Sequence, residues 1–138
     1  MIAATEPLRA IPLFQGCSDR SIEIIAGIVD EVRYPAASVL VREGEAGDSL
    51  IILRTGSASV EQDGQEIRRL RAGDFLGEIA LIDGGPRTAT VIALEDIEAL
   101  MIGRAGFSRL MEEFPVVRYD LVDALTRRLR EHGPSPTD

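Results

Sequence analysis

The sequence predicts a mainly β fold, an eight-stranded roll of the sandwich or barrel class with helices at both ends. Three observations predict it. Apolar residues recur at helical spacing near both ends of the chain. Between about Glu31 and Ile102 they fall instead into short β-prone runs. Turn residues separate those runs at roughly 8–12 residue spacing, the rhythm of an antiparallel sandwich or barrel.

The first helical stretch follows Pro12-Leu13-Phe14. Ser18 can cap it, Asp19 suits its first turn, and Ile22, Ile25, Ala26 and Val29 form one face. The residue before a proline is pushed out of the α region, so the helix must stop before Tyr34-Pro35. The predicted strand runs are 39–41, 50–53, 58–60, 66–67, 90–92 and 99–102. Gly44, Gly47-Asp48, Gly56, Gly73-Asp74 and Gly84-Gly85-Pro86 punctuate them, and Asp63-Gly64 is a hairpin turn. The helical period returns with Phe107, Leu110, Met111 and Phe114. Pro115 suits the first turn of a second helix. Val117, Leu121, Ala124, Leu125 and Leu129 stripe that helix, and Gly133-Pro134-Ser135-Pro136 ends it. The organisation expected is one domain over 1–138: N-terminal helices to about 30, the roll over about 31–103, helices over about 104–132, and a flexible tail at 133–138.

Composition narrows the function. The chain has 138 residues, 45 % apolar and 28 % charged, enough for one packed core. No apolar run approaches the roughly 20 residues of a membrane span, and no basic-then-apolar leader opens the chain. A net charge of -8 repels a phosphate backbone, so no nucleic-acid partner is expected. The single cysteine, Cys17, forms no internal disulfide and fits a reducing, cytoplasmic compartment. Lysine and asparagine are absent and arginine supplies the basic charge beside His132, a composition expected of a GC-rich, bacterial genome.

Catalysis is not expected. Cys17 and His132 are each alone of their kind, and a cysteine nucleophile needs a base. One histidine cannot build the multi-histidine metal site of the cupin β-roll enzymes, so no metal is expected. No CxxC, HExxH or Walker loop is present.

The chemistry concentrates in Gly73–Leu81 and Arg87–Val91. Gly77 follows a strand end and lets the backbone approach a ligand. The N–H groups from Ile79 and Ala80 to Leu81 open a short helical run and offer orphan donors to an anion. Arg87 adds a permanent charge with a planar fork for phosphate oxygens, and Pro86 fixes the backbone before it. Glu78 would repel a phosphate, which suits it to hydroxyl donors. Thr88 adds a hydroxyl beside the arginine. Read singly, Glu78 is an acid at a helix N-terminus and Arg87 a solvated surface charge; their spacing around one glycine favours a site.

This run, Phe75-Leu76-Gly77-Glu78-Ile79-Ala80-Leu81 with Pro86-Arg87-Thr88-Ala89-Thr90-Val91, resembles the phosphate-binding cassette of cyclic nucleotide-binding domains. The helical entry at Pro12, the Gly44-Glu45-Ala46-Gly47-Asp48 turn and the terminal helix pair extend the resemblance over about residues 8–132. It implies a double-stranded β-helix, or jelly roll, and a regulatory module that binds cAMP or cGMP and needs no other cofactor. By the resemblance Glu78 takes the ribose 2′-hydroxyl and Arg87 the cyclic phosphate, with backbone donors near Ala80. Thr88 touches the phosphate and a guanine edge, while Val60 and Leu70 line the base pocket. The last helix closes over the base as a lid.

Spacing supplies a lid residue. Arg128 lies seven residues after Leu121 and four after Ala124, so it falls on the apolar face, able to stack on a purine or reach Glu78. Arg127, Arg128 and Arg130 also suit a helix C-terminus. The leading expectation is a cyclic nucleotide sensor whose helices over 105–132 close on the ligand and signal to a protein effector. The second is a scaffold with the same roll, its pocket empty, binding a partner or dimerising through the 117–129 helix. A threonine after the arginine resembles the cGMP-responsive kinases and channels that take both nucleotides, whereas a bacterial source leans to cAMP. The catabolite-activator relatives continue into a helix-turn-helix, for which the 138 residues leave no room, so direct transcription control is not expected.

Overall fold

The computed structural model describes residues 5–77 and 85–132, and of residues 5, 125 and 128–132 the backbone alone. The order begins with α1 (Thr5–Arg9), a 3-10 turn (Pro12–Phe14) and α2 (Asp19–Ala26). Eight strands follow: β1 (Asp30–Tyr34), β2 (Val39–Val41), β3 (Ser49–Thr55), β4 (Ala58–Gln62), β5 (Gln65–Leu70), β6 (Phe75–Leu76), β7 (Thr90–Ala93) and β8 (Ile97–Gly103). Two helices close the described chain, α3 (Arg104–Glu113) and α4 (Pro115–His132).

The strands form two four-stranded antiparallel sheets, ordered β1-β8-β3-β6 and β2-β7-β4-β5. The mainly β roll with flanking helices is therefore the fold observed. Its layers follow from the alternation of side chains along a strand. In β3, Leu50 and Ile52 turn to the helices, while Ile51 and Leu53 turn to the second sheet. In β8, Leu100 and Ile102 face the helices, and Ile97 and Ala99 face inward. The first sheet is thus covered on both faces, which is why Leu50–Leu53 reads as an unbroken apolar run.

The local signals act as their chemistry requires. The Ser18 hydroxyl accepts the Ser21 backbone N–H at 3.1 Å and caps α2. Asp63 and Gly64 both have positive φ, 51° and 80°, and join β4 to β5. That pair of left-handed residues matches the twist of the flanking strands. Pro115 opens α4 directly after Phe114.

Three details differ from expectation. α2 stops before Tyr34-Pro35 as expected but already at Ala26, short of Val29, where the Gly27 N–H turns back to the carbonyls of Ile24 and Ile25. The residues after it, Asp30–Tyr34, form a strand because β8 supplies a complete antiparallel partner, from Asp30 opposite Met101 to Tyr34 opposite Ile97. β6 is the second unpredicted strand, two residues set against Ile51 and Ile52 of β3. The expected tail at 133–138 lies outside the described residues.

Candidate functional site

The site is built around Arg87. Only 7 % of this residue is exposed, a rare condition for an arginine. Its Nη2 donates to the Ser49 carbonyl at 3.0 Å and approaches the Ser49 hydroxyl at 3.3 Å. Its backbone is clamped as well. The Gly44 N–H donates to the Arg87 carbonyl at 2.9 Å, and the Arg87 N–H donates to the Glu45 carbonyl at 2.7 Å. Pro86 bridges to Ala46 beside that pair. The guanidinium is thus delivered by a β-like clamp between the 42–48 loop and the approach to β7, and oriented by the first residue of β3.

Gly77 sits directly against it. Its φ is +97°, a conformation that favours glycine, and a Cβ there would run into the Arg87 Nη1 and the Ser49 carbonyl. The two residues that the sequence set ten positions apart therefore meet in space. The close approach permitted by Gly77 is here first an approach of backbone to arginine.

Thr88 is exposed, and its carbonyl accepts from the Gln62 side-chain amide at 2.8 Å. Thr90 accepts the Glu43 N–H at 3.0 Å and fastens the same loop to β7. Val60 and Leu70 are 4 % and 0 % exposed and belong to the apolar cluster between the sheets. Glu78, Ile79 and Ala80 lie outside the described residues, as does the side chain of Arg128. Arg128 falls within α4, one turn past the half-buried Ala124 and two past the buried Leu121.

Two cavities flank the region. One of about 380 Å³ lies between the sheets behind Arg87, with Tyr34, Leu40, Ile51 and Met101 as apolar walls and Asp48 and Ser49 near its mouth. Burial raises the Tyr34 phenol above its ordinary pKa, while the nearby Arg87 charge pulls the other way. The other, about 600 Å³, is the cleft between α4 and the roll, reached by Leu13, Arg68, Gly73, Asp123, Ala124 and Arg127. Neither is lined by Val60 or Leu70.

Ser49 is the residue that sequence reasoning missed. Its signal was a polar side chain at the mouth of an otherwise apolar strand, directly after the Gly47-Asp48 turn. Among the described residues no group of three His, Cys, Asp or Glu is placed to hold a metal ion. No helix among them is long and apolar enough to cross a membrane.

A family model described as cyclic nucleotide-binding domain matches residues 31–114, well over half of the chain. The chain belongs to the cyclic nucleotide-binding domain family. That stretch contains the roll from the second residue of β1 onward, the Arg87 clamp and α3. The domain is 37 % identical over 106 residues to the cAMP-dependent protein kinase regulatory subunit of Aspergillus fumigatus, covering 75 % of this chain and 26 % of the subunit. It is 36 % identical over 112 residues to the cGMP-dependent protein kinase, isozyme 1, of Drosophila melanogaster, covering 75 % of this chain and 15 % of the kinase. The crystal structure of the Thermus thermophilus catabolite activator protein matches with a TM-score of 0.78 and 29 % identity, over 88 % of this chain and 59 % of that one. The domain thus spans about a quarter or less of the length of these two kinase proteins.

Proposed function

We propose that the chain is a cyclic nucleotide sensor, a regulatory module without catalytic activity of its own. The observation that carries the reading is the buried Arg87 guanidinium, held at 3.0 Å by Ser49 and facing the Gly77 backbone. A cation taken out of water needs an anionic or strongly accepting neighbour. Its position in the cassette-like run supports a phosphate as that neighbour. In this reading Arg87 pairs with the cyclic phosphate, the N–H groups of Ile79 and Ala80 assist, and Glu78 accepts from the ribose hydroxyl. Thr88, exposed beside Arg87, reaches the phosphate or the base edge. Val60 and Leu70 meet the base from inside the roll, and Arg128 closes over it from α4. The purine then packs toward the cleft between α4 and the roll.

The ligand is cAMP, with cGMP as the second candidate; relatives named for both nucleotides match at similar identity. A protein effector reads the position of α3 and α4, in a bacterial cytoplasm, with no nucleic acid or membrane as partner. No cofactor beyond the nucleotide is needed. Ligand favours the closed arrangement only by its differential affinity for it. One observation favours the scaffold alternative, an exposed apolar stripe on α4 formed by Val116, Tyr119 and Val122. It serves equally as the surface on which an effector, or a second copy, reads a sensor.

Isothermal titration with cAMP and with cGMP tests the reading, with Arg87→Ala and Arg87→Lys in parallel. Saturable binding of either nucleotide is expected. Loss of the charged partner from a buried phosphate weakens binding by about 2–4 kcal/mol in Arg87→Ala. Lysine keeps the charge but not the fork, so Arg87→Lys falls between. Wild-type affinity in Arg87→Ala would remove the mechanism. An absence of heat and an unchanged Tm with both nucleotides would leave the scaffold.

A further inference from the structure

We propose that the cavity behind Arg87 is a second binding site, one that takes a small uncharged phenol. The site does not depend on the cyclic nucleotide reading above. β1 and β2 each stand at one edge of their sheet, and both border this space. No further strand lies beyond them to fill the gap between the sheets. Elsewhere the inward residues are shut away; Ile51, Ile97 and Ala99 are at most 2 % exposed. Tyr34, Leu40 and Met101 pack against the same inner cluster and yet stay only half-buried. They stop short of one another because about 380 Å³ of open space lies between them.

The walls select the ligand. Leu40, Ile51 and Met101 are apolar, and a void of roughly 150 Å³ with such walls already takes a benzene ring. This larger space admits a ring with substituents. The rim sets Arg42 and Arg87 against Glu45 and Asp48, two charges of each sign. A ligand of net charge gains little from a balanced rim and loses its hydration against apolar walls. One polar group stands on the wall itself. Burial desolvates the Tyr34 phenol, and among the described residues its hydroxyl makes no hydrogen bond. A buried tyrosine hydroxyl ordinarily has a partner, and it can donate or accept. A hydroxyl on the ligand supplies that partner in either sense, while the ring fills the apolar space. The anion side of Arg87 lies elsewhere: Gly77, against which its Nη1 rests, does not border this cavity.

The methionines make the test direct. They are Met1, Met101 and Met111; Met101 borders the cavity and Met111 packs in the helix layer. The full chain, labelled with carbon-13 at the methionine methyls, is titrated with 4-fluorophenol. The Met101 methyl is expected to shift saturably with a Kd of about 1 mM or tighter, while Met111 stays in place. Tyr34→Phe removes the hydroxyl and keeps the ring. It should weaken 4-fluorophenol about fivefold and leave the binding of fluorobenzene unchanged. Leu40→Trp fills the space and should weaken both probes about tenfold or more; if that variant does not fold, Tyr34→Phe still decides. A Met101 methyl unmoved at about 10 mM probe overturns the proposal, as do parallel, unsaturable shifts of Met101 and Met111. Equal losses of both probes in Tyr34→Phe overturn the assignment to a phenol. Saturating cAMP should leave the probe bound; one-for-one displacement would give the space to the nucleotide and overturn the second site.

Discussion

The first sheet separates two apolar regions that are built differently. On its outer face the helices contribute Phe14, Ile22, Ile25, Phe107, Leu110, Phe114, Val117 and Leu121, nearly all large side chains. On its inner face Ala58, Ala89, Ala93, Ala99, Val60 and Val91 stand beside Ile51, Leu53, Leu70, Leu76 and Ile97, a cluster with more small residues and no buried aromatic ring. The inner region lies between two walls of strands, each stiffened by the backbone hydrogen bonds within its own sheet, and smaller residues occupy part of it. The outer region has no ladder across it. Side-chain packing, with the Arg104–Gly47 hydrogen bond at one end, holds the helices to the roll, and large side chains supply the buried area. The difference teaches where the domain can move. The roll is a frame; the helix layer is attached by contacts that can be exchanged for others without breaking a strand.

The largest test of that contrast is Phe107→Ala. Deleting a buried aromatic from the helix layer is expected to cost about 3–5 kcal/mol in denaturant unfolding. If the helix layer can detach from the frame, amides 104–132 lose exchange protection in this variant while β3 and β8 keep theirs. A uniform loss across both layers would show one indivisible core. The nucleotide-affinity loss in Arg87→Ala comes next in size.

Ala99→Leu probes the inner region. Extra methylenes between two closely packed sheets force neighbouring side chains or backbone to shift, so a stability loss of about 1–3 kcal/mol is expected. An enlargement tolerated without loss would mean that the frame breathes. Ser18→Ala removes the cap of α2 and should lower stability by about 1 kcal/mol, read as a shift in denaturant midpoint at constant slope.

The smallest effect is a pH dependence of the helix layer. Cys17 packs against that layer, and burial raises its thiol above the ordinary 9.0, with the Asp120 charge adding to the shift. The folded state therefore holds its proton longer than the unfolded chain. Stability from the neutral thiol is complete below the unfolded value and is lost as pH rises from about 9 through the folded one. Cys17→Ser should flatten that alkaline decline. At pH 8 native Cys17 should react with iodoacetamide more slowly than the unfolded chain does. Equal alkylation rates would place the thiol in water and outside the layer.

Much of this contrast could be read from the residues. The apolar run at Leu50–Leu53 already marks a strand with two covered faces, and Ala58 and Ala99 are small residues within β-prone runs. The pairing of Gly77 with Arg87 was legible as a motif, because a glycine that admits close approach and a planar guanidinium are the residue types that an anion site would need. What was hidden is that Ser49 orients the arginine. Thirty-eight positions separate the two, and a lone serine at a strand end carries no pattern. Val60 and Leu70, expected at a base pocket, are apolar residues whose alternation serves the inner core as well; pattern alone does not tell a pocket wall from a packed interior.

By itself the sequence determined the class of the fold, the α2 cap at Ser18, the Asp63-Gly64 hairpin, the break at Pro115 and the grouping of Gly77 with Arg87 in one motif. Each of these is a local matter of dihedral preference, hydrogen-bond chemistry or side-chain periodicity. Only the tertiary structure decided that Asp30–Tyr34 is a strand, that two residues at Phe75 complete a sheet, that Arg87 is buried against Ser49, and that Arg104 spans to Gly47. Those outcomes depend on partners tens of residues away. A strand without strong propensity forms when a ladder is offered to it, and a charged side chain chooses its acceptor only after the loops that carry that acceptor have been set in place.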